Sequence, residues 1–182
     1  TAMHLIVAPG GAVASGPAAV SGREGIGVLI ALFVLILTLG SLVAAGMTLL
    51  NAFIGVALGL LGLTALSGVV DLNSTAPILA LMLGLAVGID YALFITARYR
   101  TLRTSGLEPD EAAGRAVATA GSAVVFAGLT VVITLAALAV VGIPFIGIMG
   151  LAASGTVAIA VLVSLSLLPA LLSFGGRLVL PR

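Results

Sequence analysis

Five apolar runs, each long enough to cross a bilayer, constrain this chain more than any other feature. They cover about residues 25–47, 48–70, 76–97, 117–141 and 145–172. At about 1.5 Å of rise per residue, roughly 20 apolar residues in a helix cover the hydrocarbon core. Lipid offers the backbone no hydrogen-bond partners, so spanning segments are helices or closed barrels, and runs this long and unbroken are helices. The composition agrees: 62% of the 182 residues are hydrophobic and 7% are charged, with a mean hydropathy of +1.40. A soluble core is never so apolar. The expectation is an all-α membrane protein, a five-helix transmembrane bundle over residues 25–182.

The connections carry the polar residues. Residues 1–24 are rich in Ala, Gly, Pro and Ser and read as a linker. Leu5-Ile6-Val7 fits a short strand, His4 is solvated, and Ser21 with Glu24 has the spacing of a capping box. The first chain reversal is expected at Ala44 to Met47, the second at the polar loop from Asp71 to Thr75. Residues 98–115 form the one hydrophilic loop of any length, in which Pro109 marks the start of a short interfacial helix. Gly142-Ile143-Pro144 is a tight turn. The chain begins at Thr1 without Met, so it is expected to be a piece of a longer protein.

Arginine sets the orientation. Arg98, Arg100, Arg103 and Arg115 follow the third run, and Arg177 and Arg182 follow the fifth. Five crossings put these two groups on one side, and the positive-inside rule makes that side cytoplasmic. The N-terminus is then outside and the C-terminus cytoplasmic, as in a multi-pass protein of the inner (plasma) membrane.

One acid stands inside a span. Asp90 lies about 20 Å from the outer end of the third helix and about 10 Å from the inner end, too deep for a short side chain to reach water. An ionised carboxylate in hydrocarbon costs a few kcal/mol on insertion scales, which makes it a functional residue by default. Leu83, Ala86, Val87, Leu93, Phe94 and Ala97 share its helix face, and none is a base. No Lys, Arg or His lies within the spans to neutralise it. A carboxyl whose charge is costly, in a membrane with a pH difference across it, is suited to carrying protons.

Other candidates surround this residue. Tyr91 points about 100° away and can donate its hydroxyl to a carboxylate on a neighbouring helix. Ser122, Thr130 and Thr134 on the fourth run are candidate relay support, although hydroxyls within spans also bond their own helix carbonyls. Gly84 and Gly88, like Gly55 and Gly59, are four apart and allow close helix approach. Asn51 fits an interfacial cap or a polar role near the inner end of the second run.

Several chemistries are excluded. The chain has no cysteine, hence no disulfide, thiolate nucleophile or Cys-based metal site. One His and one intramembrane acid make no metal pathway, and no metal or other cofactor is expected. An intramembrane aspartyl protease needs two carboxylates at one water, and Asp71 sits in an outside loop. No enzyme and no nucleic-acid partner is expected.

Gly88-Ile89-Asp90-Tyr91-Ala92-Leu93-Phe94 followed by Arg98-Tyr99-Arg100 resembles the signature fourth transmembrane helix of MMPL-type transporters, within the RND (resistance–nodulation–division) superfamily. Gly40-Ser41-Leu42-Val43-Ala44-Ala45-Gly46, the run from Ala118 to Thr130 and Leu167-Leu168-Pro169-Ala170-Leu171-Leu172 resemble further parts of that family. The resemblance implies that the five spans are helices two to six of one half, a sterol-sensing-like unit. It implies proton-driven export (efflux) of lipids or other hydrophobic molecules, with membrane lipid around the bundle. A second half of the same protein would bring its own Asp-Tyr pair. Carried over by position, Asp90 is the proton carrier and Tyr91 its hydrogen-bonding partner across the halves; some members have Ser where this chain has Ala127. The alternative is a lipid-sensing five-helix domain without proton coupling.

The absence of cysteine makes topology directly testable. With single cysteines at Ser74 or Ser105 and an impermeant maleimide on intact cells, Ser74→Cys is expected to label and Ser105→Cys is not. The reverse pattern would turn the chain upside down in the membrane.

Overall fold

A glycine, not a polar loop, makes the first reversal. The computed structural model describes residues 22–66 and 75–175. Helix α1 runs Gly22–Leu39 and α2 runs Leu42–Leu66. Between them Gly40 adopts φ +57°, a left-handed conformation in which an L side chain would crowd the following carbonyl. Its N–H closes the helix on the Ile36 carbonyl at 2.7 Å. Ser41 then starts α2, its Oγ accepting the Ala44 N–H at 3.4 Å. The reversal expected at Ala44 to Met47 is therefore corrected: Ala44 and Ala45 are fully buried inside α2. Their small side chains break nothing, whereas the Gly-Ser pair supplies both a C-terminal and an N-terminal stop.

The third run is helix α3, Thr75–Thr104, extending well past its apolar part into the arginines. Gly106, at φ +95°, turns the chain, and Pro109 occupies the first turn of α4, Pro109–Ala116. Asp110 and Glu111 sit in that same turn, where the helix dipole favours negative charge. Ala112, Ala113 and Ala116 bury its inner face. The short interfacial helix expected here is not separate. It continues through a π-helical turn, Val117–Gly121, into α5, Ser122–Ala136, and a 3₁₀ turn, Ala137–Val141. Gly142, at φ +79°, then reverses the chain into α6, Pro144–Gly175.

Four of these helical stretches are long and apolar enough to cross a membrane, and the 18-residue α1 is a shorter apolar helix. Among the described residues there is no strand. The molecule is an all-α, multi-pass membrane bundle. The expected strand at Leu5 to Val7, His4, Ser21 of the capping box, the rest of the linker, the loop from Asp71 to Ser74, Arg177 and Arg182 lie outside the described residues.

The bundle is built on α2, α3 and α6. Backbone approach at glycine holds them together. Cβ atoms built on Gly55, Gly59, Gly84 and Gly88 would collide or press on a facing helix. From Gly88 the Ala52 Cα is 3.2 Å away; from Gly55 the Ala160 Cα is 3.2 Å away; from Gly84 and Gly59 the Thr156 Cγ2 is 2.7 and 2.6 Å away. These partners show that α2 runs antiparallel to both α3 and α6. α5 lies outside this triad. It leans on α6, where Gly150 approaches the Leu135 carbonyl so closely that a Cβ would stand 2.4 Å from it. Ser154 Oγ donates to the Val132 carbonyl at 3.1 Å in the same seam.

A side chain at Gly88 would meet backbone, which cannot swing aside. Gly88→Leu is expected to destabilise the detergent-purified protein by about 2 kcal/mol or more. Gly114→Ala, in α4 with nothing within 4 Å of its Cβ, is expected to be neutral or slightly stabilising. Thermal unfolding of the two variants beside the wild type decides; equal melting temperatures would contradict the packing described.

Candidate functional site

α3 has two unlike faces. Ala76, Ala80, Gly84, Gly88, Ala92, Ile95, Thr96 and Tyr99 are buried, because small residues at four-residue spacing let α2 and α6 close over them. The opposite face, with Met82, Ala86, Asp90, Phe94 and Ala97, is exposed on the surface of the five-helix unit. Asp90 is at the middle of a 30-residue helix, about 22 Å from either end. It makes no hydrogen bond or ion pair with any described residue.

Tyr91 turns from this face into the seam between α3 and α5. Its ring lies over Gly128, where an added Cβ would sit 3.5 Å from Tyr91 Cε2 and 2.6 Å from Val161 Cγ2. The missing side chain makes room for Val161 of α6, and the ring rests at ordinary contact distance beside it. The Tyr91 hydroxyl bonds to no described residue. Ser122, Thr130 and Thr134 make no hydrogen bond to Asp90 among the described residues. Their hydroxyls donate to the carbonyls of Thr119 at 3.0 Å, Phe126 at 2.8 Å and Thr130 at 2.7 Å on their own helix. A hydroxyl has one proton, and in an apolar surrounding the nearest backbone acceptor takes it.

The buried polar groups lie on the other side of α3. Asn51 is not a cap. It is 1% exposed, and its Nδ2 donates to Ser164 Oγ of α6 at 3.0 Å. Its Oδ1 is buried without a partner. One turn away Thr48 and Thr96 hydroxyls approach at 3.4 Å. Thr48 spends its proton on the Ala44 carbonyl at 2.9 Å, so Thr96 is the donor in that pair. These residues had a readable signal. Asn51, Gly55 and Gly59 are spaced by four, as are Gly84, Gly88, Ala92 and Thr96, and Thr156, Ala160 and Ser164. A polar residue in register with a glycine stripe falls on the packed face.

The end of α3 that carries arginine is anchored by Tyr99, fully buried, whose hydroxyl donates to the Leu172 carbonyl of α6 at 3.0 Å. Arg103 Nη1 donates to the Leu107 carbonyl. Arg98 Nε reaches across to Thr119 Oγ1 in the π turn at 3.1 Å. Arg115 pairs with Glu111 at 2.7 Å on an exposed surface, where such a pair contributes little. Among the described residues no group of three His, Cys, Asp or Glu side chains could hold a metal ion.

Comparison with known proteins adds to this geometry. A sequence profile described as the MMPL family matches residues 15–182. Membrane protein YdfJ of Bacillus subtilis is 48% identical over 160 residues, which is 87% of this chain and 22% of that protein. The heme uptake protein MmpL11 of Mycobacterium tuberculosis H37Rv is 35% identical over 150 residues, 81% of this chain and 15% of that protein. The mycolic acid-containing lipids exporter MmpL11 of Mycolicibacterium smegmatis is 35% identical over 150 residues, 81% of this chain and 16% of that protein. The chain therefore spans between about a seventh and a quarter of the length of these relatives.

The Asn51–Ser164 bond joins α2 to α6 at a depth where no water replaces it. Ser164→Ala leaves the Asn51 amide wholly unpaired and is expected to destabilise by about 1–3 kcal/mol. Adding Asn51→Leu should recover part of the loss, with a coupling of about 1 kcal/mol. A double-mutant cycle of thermal stabilities measures it, and strict additivity would mean the bond contributes nothing.

Proposed function

The chain belongs to the MMPL family, and from that membership we propose that it is the transmembrane module, helices two to six of one half, of a proton-driven exporter. In this reading residues 25–182 are the membrane unit and residues 1–24 the tail of an extracytoplasmic domain. The cargo class is a lipid or other hydrophobic molecule. The two mycobacterial relatives differ by name in cargo and in direction, heme uptake in one and export of mycolic acid-containing lipids in the other.

The observation that carries the reading is Asp90, the single acid within the spans, exposed on the surface of the unit at mid-depth and unpartnered within it. Facing lipid, a carboxylate there would carry the full cost of burying a charge in hydrocarbon. Facing a second transmembrane half, it meets protein. A hydroxyl or carboxyl from that half, such as the Tyr and Asp of a matching pair, completes its coordination, and the free Tyr91 hydroxyl reciprocates. Protonation removes the charge that these donors hold; release of the proton restores it. The two protonation states thus favour two arrangements of the halves, which is the differential interaction that coupling requires. Each proton moving inward brings about 2.3 kcal/mol per 100 mV of potential.

The remaining residues act around that exchange. Gly84 and Gly88 lock the back of α3 so that Asp90 is presented on a rigid rod. The Tyr91 ring rests beside Gly128 of α5. The arginines at the far end of α3 set the orientation, with their side cytoplasmic.

Asp90→Asn in the full-length protein is expected to fold, reach the membrane and lose export, while Asp90→Glu keeps little. Tyr91→Phe keeps the ring and loses one hydrogen bond, so a fall of about tenfold is expected, corresponding to about 1.4 kcal/mol. Export and proton uptake in proteoliposomes with an imposed pH gradient are the measurements. Proton-driven export by Asp90→Asn at the wild-type rate would overturn the relay and favour a lipid-sensing unit.

A further inference from the structure

One to three turns below Asp90, α3 and the π turn enclose an open groove of about 360 Å³ lined by Phe94, Arg98, Thr101, Thr119, Ala120 and Ala123. Its lining is ordered along the membrane normal. On α3, Phe94, Arg98 and Thr101 lie about 6, 12 and 16 Å beyond Asp90 toward the arginine-bearing end. The facing wall runs the same way from Ala123 through Ala120 to Thr119. The deep end is therefore apolar and the shallow end polar.

Among the residues lining the polar end, the donors left for a ligand are those of Arg98. The Thr101 hydroxyl gives its proton to the Ala97 carbonyl at 3.1 Å and the Thr119 hydroxyl to the Arg115 carbonyl at 2.8 Å. Thr119 Oγ1 still accepts from Arg98 Nε, which fixes the plane of the guanidinium. Both Nη groups of Arg98 then remain without a bond to any described residue. The nearby acid Glu111 is taken by Arg115, and Arg100 and Arg103 add charge of the same sign as Arg98. A pre-oriented guanidinium with two free amino groups fits a phosphate, which it binds through two parallel hydrogen bonds.

We propose that this groove binds one anionic phospholipid of the cytoplasmic leaflet, its phosphate on the Arg98 Nη groups and its acyl chain along Phe94, Ala120 and Ala123. Charge complementarity selects the anion. The apolar floor, reaching toward mid-membrane, selects a lipid over free phosphate. The inference rests on the cytoplasmic placement of the arginines and is independent of proton coupling at Asp90. The lipid would lie at the cytoplasmic edge of the surface that the second half covers, as a ligand distinct from cargo.

The test uses the full-length protein in nanodiscs of phosphatidylcholine doped with phosphatidylglycerol, with the lipids it retains after release counted by native mass spectrometry. The wild type is expected to keep phosphatidylglycerol in preference to phosphatidylcholine, and added inorganic phosphate is not expected to displace it. R98Q should lower that preference about tenfold, the effect of losing a charge-assisted bond; R98K should restore part of it. A123F, which fills the groove and leaves the charge in place, should lose the lipid as well. Equal retention of the two lipids by the wild type would overturn the proposal, as would unchanged retention in both R98Q and A123F. So would displacement by phosphate alone. A123F that lowers thermal stability with lipid retention unchanged would assign the groove to contact with the second half instead. Retention is read without transport, so this result stands apart from the outcome at Asp90.

Discussion

The Thr156 side chain, held between Gly59 of α2 and Gly84 of α3, is the contact on which the rest of the bundle depends. Helices in lipid gain nothing from hiding apolar side chains from one another, since lipid tails are equally apolar. What holds them is close contact and the occasional hydrogen bond. Here a single residue of α6, 1% exposed, touches both neighbouring helices because each presents a glycine to it. The same device repeats one turn along, at Gly88 against Ala52 and Gly55 against Ala160. At such separations there is room for neither a side chain nor a lipid, so the three helices have one relative register.

That register decides what α3 shows to the outside. With Gly84, Gly88, Ala92 and Thr96 committed to the interior, Asp90 has to face away. Polar groups sort accordingly. Thr48, Thr96, Asn51 and Ser164 are paired within the triad, where they fix depth as well as rotation. Tyr99 ties α3 to α6 at the arginine end. The single acid within the spans is left on the surface of the unit.

α5 is joined more loosely, and its backbone shows it. It enters through a π turn and leaves through a 3₁₀ turn, so it is underwound at one end and overwound at the other. A π turn within a helix is uncommon and concentrates at functional sites; this one places Thr119 opposite Arg98. Most of the α5 surface, including Phe126, Leu129 and Ile133, is exposed and apolar, as a lipid-facing helix is. Its contacts with the triad include Gly128 against Val161 and Tyr91, the Leu135 carbonyl against Gly150, and Ser154 of α6 on the Val132 carbonyl.

The sequence by itself determined the class, the apolar helices and the outstanding acid, because hydrocarbon imposes length and backbone satisfaction on each segment separately. The resemblance carried by Gly88 to Arg100 reached the family for the same reason: its residues are contiguous on one helix. Local chemistry also placed Pro109 at a helix start and Gly142 in a turn. Sequence reading missed the reversal at Gly40, because apolar residues continue on both sides and only the positive φ marks the break. It left open whether Ser122, Thr130 and Thr134 serve Asp90 or bond their own helix, and in the fold each hydroxyl donates to a carbonyl of its own helix. It left Asn51 open between an interfacial cap and a polar role, and the fold decides for the second by burying it against Ser164, 113 residues away. Which residues meet across helices depends on rotation and depth. Those follow from Cβ atoms that are absent at Gly55, Gly59, Gly84 and Gly88 and from the partners that fill the space, and only the tertiary structure holds both sides of such a contact.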